Sequence, residues 1–278
     1  MTSALAAVLA LALAPQGEVS AQKVAKLPEI DGKFDDWTTA KEWVIKIDKP
    51  GEIDKPMKEM WLKVVHDGAS VAFLMAWKDE TKSERHQEFV WKEDDGEYKM
   101  NDELLEDSCS LAFALEGKFD PDMLAGIESK WDVWEWGAYR TSLGFAKDKW
   151  HVYSKVRFPA GKPKRFSDRE DKPIWLTRPD DEGTPCMKKL EAPAEKKTPT
   201  VQQWIPEKPT GSCADVQARG AWADGRWKVE FRRKLDTGNK DDTAFDPAKP
   251  VDFAVAVFDQ GEKSDHEVSP KYVLKFEK

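Results

Sequence analysis

The segment Trp227-Lys228-Val229-Glu230-Phe231-Arg232 alternates apolar and charged residues without a break. Successive side chains of a β-strand point to opposite faces of a sheet, so this segment predicts a strand with one face in a core and one toward solvent. The same alternation occurs at residues 109–115, 251–257 and 272–276. Residues 61–66 and 71–77 flank Asp67-Gly68, a dipeptide typical of hairpin turns. Together these stretches predict a β-meander.

No apolar pattern of period 3.6 persists for the ~11 residues of an average helix, so the sheets must cover one another. We therefore predict an all-β fold, with residues 22–278 forming a single two-sheet antiparallel sandwich. Residues 158–215 hold nine of the 17 prolines and show little alternation. We interpret them as a long irregular insertion with at most one short helix, either facing a partner or solvated and disordered.

The start of the chain predicts export. The longest apolar run, residues 4–14, is followed by Val19-Ser20-Ala21, the small-x-small pattern that a signal peptidase cuts. We predict a signal peptide over residues 1–21 and a periplasmic location, with a short buried helix as the alternative. In that oxidising compartment we expect Cys186 to pair with Cys213, which lies in the same irregular region, and Cys109 to stay buried and unpaired.

Composition restricts the partners. No apolar run approaches the ~20 residues that span a bilayer, so no membrane span is predicted. The net charge of −8 argues against nucleic acid as a partner and favours a basic soluble protein, because opposite charges raise association rates.

Signatures of bond-making chemistry are missing from the sequence. It contains no G-x-S-x-G, C-x-x-C or H-E-x-x-H motif, and without C-x-x-C-H a covalently attached c-type haem is excluded. We predict no catalytic residue. Of the four histidines, His266 differs because it lies between two predicted core strands, where its side chain could reach a pocket at the end of the sandwich.

The aromatic segment Trp131-Asp132-Val133-Trp134-Glu135-Trp136 places Trp134 and Trp136 on one face of an extended chain and Trp131 and Val133 on the other. Either face could belong to the core. Alternatively, a flat aromatic wall could stack on a sugar or line a slot for a porphyrin.

Five stretches, taken in order, resemble the haem-binding gamma subunits of type II enzymes of the dimethyl sulfoxide reductase family, which include ethylbenzene dehydrogenase and nitrite oxidoreductase. They are residues 30–37 (IDGKFDDW), 65–79 (VHDGASVAFLMAWKD), 131–148 (WDVWEWGAYRTSLGFAKD), 220–233 (GAWADGRWKVEFRR) and 253–269 (beginning FAVAVFD). The resemblance implies a sandwich like that of DOMON domains and family 9 carbohydrate-binding modules.

The resemblance also implies one haem b at the end of the sandwich, held by a methionine and usually a lysine. The methionine maps onto Met123. Where the family lysine precedes an apolar-Ser pair, this chain has His266, with Lys263 as the fallback ligand. Neutral imidazole is a better iron ligand than an amine that must first lose its proton.

Within the tryptophan segment the resemblance implies that Trp134 and Trp136 contact the haem. The chain has Glu135 and Gly137 where relatives often carry His and Lys. Contacts to the haem propionates are therefore expected from Arg140 or Lys147.

The function implied is one-electron transfer within a periplasmic oxidoreductase complex, without bond-making chemistry. The expected partners are a molybdopterin catalytic subunit, an iron–sulfur subunit and a soluble cytochrome c. The main alternative is a cofactor-free carbohydrate-binding module, in which Trp131, Trp134 and Trp136 would stack on sugars. A scaffold subunit without haem is a third possibility.

Overall fold

The computed structural model describes residues 17–48, 58–159, 162–260 and 266–278. Helical structure in these ranges is limited to three 3₁₀ turns, at Asp35–Trp37, Met123–Ala125 and Ser212–Ala214, and none of the described helices could cross a membrane. The strands are β1 (Gly17–Lys23), β2 (Glu42–Ile47), β3 (Lys58–His66), β4 (Ser70–Lys78), β5 (Glu88–Lys92), β6 (Glu97–Asn101), β7 (Ser108–Gly117), β8 (Ser129–Gly137), β9 (Lys147–Ser154), β10 (Lys164–Ser167), β11 (Pro173–Thr177), β12 (Gly183–Thr184), β13 (Met187–Lys189), β14 (Thr200–Gln202), β15 (Trp204–Pro206), β16 (Thr210–Gly211), β17 (Gln217–Ala223), β18 (Arg226–Lys234), β19 (Val251–Phe258), β20 (Glu267–Val268) and β21 (Tyr272–Phe276).

The strands form two layers that share β1. The larger sheet has the order β10-β11-β9-β8-β7-β19-β21-β1, with β20 on β19, and the smaller sheet has the order β1-β3-β4-β18-β17, with β2 on β3. The layers pack face to face, because the ring centroid of Phe73 on β4 lies 5.5 Å from that of Phe113 on β7 and 5.7 Å from that of Trp134 on β8. The predicted all-β sandwich is confirmed.

Strand β1 departs from the antiparallel pairing expected throughout the sandwich. It runs parallel to both neighbours, whereas the other strand pairs of the described residues are antiparallel. Val19 and Ala21 are buried in the core between the sheets. Cleavage after Ala21 would remove five of the seven residues of β1. The signal peptide over residues 1–21, most of which lie outside the described residues, stays a prediction.

Strand β8 divides the apolar side chains of the larger sheet between its two faces. Trp134 and Trp136 point into the main core, against Phe73, Phe113 and Trp227. The opposite face carries a second group of buried side chains, which we call the outer cluster: Phe119, Trp131, Val133, Tyr153, Ile174, Leu176 and Ala254.

The insertion is more regular than its prolines predict. β10 and β11 extend the larger sheet beyond β9, β14 adds to the β5–β6 hairpin, and β12–β16 and β13–β15 form two short ribbons. Its prolines are compatible with strands because they stand at strand ends, as Pro173 does at the start of β11 and Pro206 at the end of β15. The short helix expected here is the 3₁₀ turn Ser212–Ala214.

The expected Cys186–Cys213 disulfide is not formed, and all three cysteines are buried thiols. The Cys213 thiol instead donates to the backbone oxygen of Asp181, with 3.1 Å between sulfur and oxygen. Burial raises the pKa of Cys186 and of Cys213 to about 12, so both thiols stay protonated and unreactive at neutral pH.

Glu230 was expected on a solvent-facing side of its strand, but it is fully buried. Its carboxylate accepts the indole N–H of Trp37 at 2.7 Å and the backbone N–H of Gly32 at 2.9 Å. The segment that contains Gly32 and Trp37 thereby covers the outer face of the smaller sheet. Burial raises the pKa of Glu230 to about 7.

We predict that a chain beginning at Gln22 is less stable than one beginning at Gln16 by at least about 3 kcal/mol, because it loses the buried Val19 and the backbone pairing to β21. Urea unfolding of the two purified chains measures the difference. Equal free energies of unfolding would show that β1 is dispensable.

Glu230 also predicts a pH dependence. Its pKa is about 7 in the folded state against 4.5 for the free side chain, so the folded state holds the extra proton between these values. The free energy of unfolding should therefore fall as pH rises from 4.5 to 7, by on the order of 2 kcal/mol from this group. Glu230→Gln should lose that contribution, and urea titrations of both proteins across this pH range measure it. Identical pH profiles would contradict the assignment.

Candidate functional site

The outer face of the larger sheet has a floor of small side chains. Ala112 on β7 pairs with Ala254 on β19, and one step along the same face Ser110 pairs with Ala256. We call these four residues the alanine floor. Val133 on β8 pairs with Ala112 and borders the floor on one side. Ala254 and Ala256 are buried, whereas Ser110 and Ala112 are half-buried.

Met123 lies between β7 and β8, next to the outer cluster. It begins the 3₁₀ turn that follows β7, in which the Asp122 carboxylate accepts the backbone N–H of Leu124 at 3.1 Å and Gly126 ends the turn at a positive φ of 67°. The backbone N–H of Arg169 donates to the Leu124 oxygen at 3.1 Å and fixes the turn to the β10–β11 hairpin. The Met123 side chain packs against the outer cluster.

His266 lies next to the alanine floor, on the side of Ala256. It immediately precedes β20, which pairs with Ala256 and Val257 of β19. Its imidazole stacks on the ring of Phe258, with centroids 4.9 Å apart and planes 14° apart. Core-facing residues alternate along β19, so Phe258 shares the outer face with Ala254 and Ala256.

The structure thus places a thioether and an imidazole on the same face of the larger sheet. Met123 packs against the outer cluster, which includes Ala254, and His266 stacks on Phe258 of the same strand. Lys263, the fallback ligand, lies outside the described residues. Both predicted ligands therefore face the same surface of the sheet.

Trp134 and Trp136 do not join this site, because they face the main core. They are 0% and 3% exposed. The guanidinium carbon of Arg233 lies 4.7 Å from the Trp134 ring centroid, and a Cβ on Gly220 would come within 2.3 Å of the Trp136 ring. Trp131, in the outer cluster, is the tryptophan of this segment that lies on the same face as Met123 and His266.

The two predicted propionate contacts are engaged in ion pairs. Arg140 binds Glu106, and its Nη2 lies 3.4 Å from Glu135 Oε1. Lys147 Nζ lies 3.3 Å from Asp180 Oδ1. Burial alone would raise the pKa of Glu135, but the charges of Lys149 and Arg140 hold it well below its usual range.

His151 is a candidate that the sequence did not distinguish from an ordinary surface histidine. It pairs with Trp131 across β8 and β9, so its ring joins the outer face, 6.1 Å from that of Trp131 and 6.4 Å from that of Tyr153. Its Nε2 is buried and has no hydrogen-bond partner. Burial and Arg178 hold the pKa of His151 well below its usual value, which keeps the imidazole neutral, the form that binds metals.

A sequence model described as ethylbenzene dehydrogenase matches residues 35–269, most of the chain. The chain belongs to the ethylbenzene dehydrogenase family. Met123, His151 and His266 all lie within the matched residues. The resemblance seen in the sequence is confirmed at the level of this family. Among curated proteins, none matches the sequence.

Two solved structures with a similar backbone fold have low sequence identity to this chain. A putative carbohydrate-binding protein from Bacteroides uniformis is 10% identical, with a TM-score of 0.44 over 94% of this chain and 99% of that one. A family 9 carbohydrate-binding module from Caldicellulosiruptor kristjanssonii, in complex with glucose, is 9% identical, with a TM-score of 0.39 over 94% of this chain and 95% of that one. At such identities and TM-scores, the similarity to these structures does not indicate a function.

In this family member we predict that Arg140 has a structural role. Arg140→Met should lower the free energy of unfolding of the purified protein by about 3 kcal/mol, because Glu106 is buried and would lose its charged partner. Urea unfolding measures the loss.

The matched control is Arg169→Met, which removes a more exposed ion pair with Asp122 and should cost less than about 1 kcal/mol. If Arg140→Met leaves stability unchanged, Arg140 is available for a cofactor instead.

Proposed function

We propose that this chain is an electron-transfer subunit that binds one haem b on the outer face of its larger sheet. The observation that carries the proposal is the placement of Met123 and His266 on the same outer face, Met123 against the outer cluster and His266 on Phe258. Membership of the ethylbenzene dehydrogenase family supports it independently of that geometry.

The residues present fit such a group. Thioether and imidazole are established ligands of haem iron, and both face the same surface. The buried Nε2 of His151 is a polar atom that gains a partner if a ligand covers this face. Trp131 and Tyr153 give the surroundings an aromatic, apolar character. Bound here, the haem would supply one-electron oxidation and reduction.

The protein's own residues would set the reduction potential. The Met123 sulfur favours the ferrous state and raises the potential, and an apolar environment around a haem tunes it further. Trp131, unlike Trp134 and Trp136, lies on the outer face, where it would belong to the apolar surroundings of the haem. We propose no catalytic role for any residue on this outer face.

As partners we propose a molybdopterin catalytic subunit, an iron–sulfur subunit and a soluble cytochrome c, in a complex exported to the periplasm. Family membership implies a multisubunit oxidoreductase. In the insertion, β10 forms an edge of the larger sheet, and its residues are mostly exposed. Unpaired backbone groups on such an edge are suited to contacts with another chain.

The carbohydrate-binding alternative depended on three indoles. Trp131, Trp134 and Trp136 are 6%, 0% and 3% exposed. None of them presents an open face on which a sugar could stack.

We predict that the wild-type chain, reconstituted with haemin, gives a six-coordinate low-spin absorption spectrum with a noncovalent pyridine haemochrome. Met123→Leu and His266→Ala should each convert it to a high-spin spectrum, because each removes one axial ligand. Added imidazole should restore the low-spin spectrum of His266→Ala. Ultraviolet–visible and electron paramagnetic resonance spectra report both changes.

Met100→Leu is the matched control, since Met100 is 47% exposed, outside the outer cluster, and should leave the spectrum unchanged. A wild-type chain that retains no haem would refute the proposed function and leave the scaffold and carbohydrate alternatives. Retention of the low-spin spectrum in His266→Ala, together with its loss in His151→Ala, would transfer the ligand role to His151.

A further inference from the structure

A buried group of carboxylates lies on the core face of the larger sheet, on the side opposite the alanine floor. Asp132 on β8, Asp148 on β9 and Asp242 place carboxylate oxygens within 4.8 Å of one another. Asp181, from the chain between β11 and β12, lies next to them: its backbone N–H donates to the Asp148 backbone oxygen at 3.3 Å, and its carboxyl group interacts with that of Asp148. All four residues are buried.

Arg233 balances part of this charge. Its Nη1 lies 2.6 Å from Asp132 Oδ2 and 2.8 Å from Asp242 Oδ1, and its guanidinium lies over the rings of Trp134 and Phe245. One guanidinium among four carboxylates leaves three negative charges if all the groups are ionised. Buried charge of this size is costly unless another cation is present.

Five carboxylate oxygens in the group have no hydrogen-bond partner: Asp132 Oδ1, both oxygens of Asp148 and both oxygens of Asp181. Asp148 is 1% exposed, so water does not replace those partners at the surface. Burial, with the negative charge of Asp132, raises the pKa of Asp148 and of Asp181. Unsatisfied buried acceptors are rare in proteins and call for a specific explanation.

We propose that Asp132, Asp148 and Asp181 bind one calcium ion, which reduces the net charge of the group, Arg233 included, from −3 to −1. Exclusively carboxylate donors select a hard cation over zinc or copper. Calcium takes six to eight oxygens at about 2.3–2.6 Å and so spans about 5 Å, which matches the 4.8 Å within which Asp132, Asp148 and Asp242 place their oxygens. Magnesium needs a tighter octahedron and usually retains several waters, which a dry interior does not supply.

The calcium ion has a structural consequence. Asp132 and Asp148 belong to the sandwich, whereas Asp181 belongs to the insertion, so one ion fastens the insertion to the sheet. Arg233 on β18 ties the same group to the smaller sheet. This site lies on the core face of β8 and is independent of haem binding on the outer face.

Equilibrium dialysis of the chelator-treated full chain against radioactive calcium chloride tests the site. We expect one calcium per chain, and we expect EGTA to lower the Tm of the loaded protein by about 5 °C or more. Asp148→Asn and Asp181→Asn should each weaken binding at least tenfold. In the absence of calcium, Asp148→Asn should be at least as thermostable as the wild type, because it removes an unpartnered buried charge.

The matched control is Asp171→Asn, an exposed carboxylate outside the group, which should bind calcium as the wild type does. No stoichiometric calcium in the wild type, with a Tm insensitive to EGTA, would overturn the proposal in favour of carboxylates that share protons. Wild-type affinity in both Asp148→Asn and Asp181→Asn would also overturn it. If a variant does not fold, the wild-type stoichiometry and Tm decide.

Discussion

The strict alternation of β8 is the constraint on which the rest of the structure depends. Because neighbouring side chains of a strand point to opposite faces, Trp134 and Trp136 can fill the space between the sheets only if Trp131 and Val133 point outward. A shift of one residue would exchange the two sets. The packing of Trp134 against Phe73 and Phe113 fixes which residues of β8 face the core. The residues that β8 presents on the outer face follow from that choice.

The two faces of the β8–β9 pair have different chemistry as a result. The core face carries Asp132 and Asp148, which are balanced in part by Arg233 from the opposite sheet. The outer face carries apolar side chains next to a strip of small residues, where a thioether and an imidazole are available. One face thus suits a hard cation that stabilises the fold, and the other suits a flat, apolar, redox-active group. Electron transfer to a partner would need the second face to remain accessible.

The sequence was sufficient for the sandwich, because alternation in β18, β19 and β21 is local and unambiguous. The core face of β8 could not be predicted from the sequence, because Trp131 and Val133 make one face apolar and Trp134 and Trp136 make the other face apolar. The sequence pattern placed Glu230 toward solvent, because Trp37, which covers it, is 193 residues away. Asp132, Asp148 and Asp181 cannot be told apart in the sequence from the other acidic residues, 52 in all, because only the tertiary fold brings them together. The pairing of β1 with β21 joins the two ends of the described chain, so no local pattern indicates it.

Iron X-ray absorption of the haem-reconstituted chain tests the central claim most directly, because it identifies the atoms bound to the iron without relying on a variant. The account predicts one sulfur scatterer in the first shell together with five nitrogens: four from the porphyrin and one from a histidine. A first shell that contains only nitrogen and oxygen would contradict it, because Met123 would then not bind the iron.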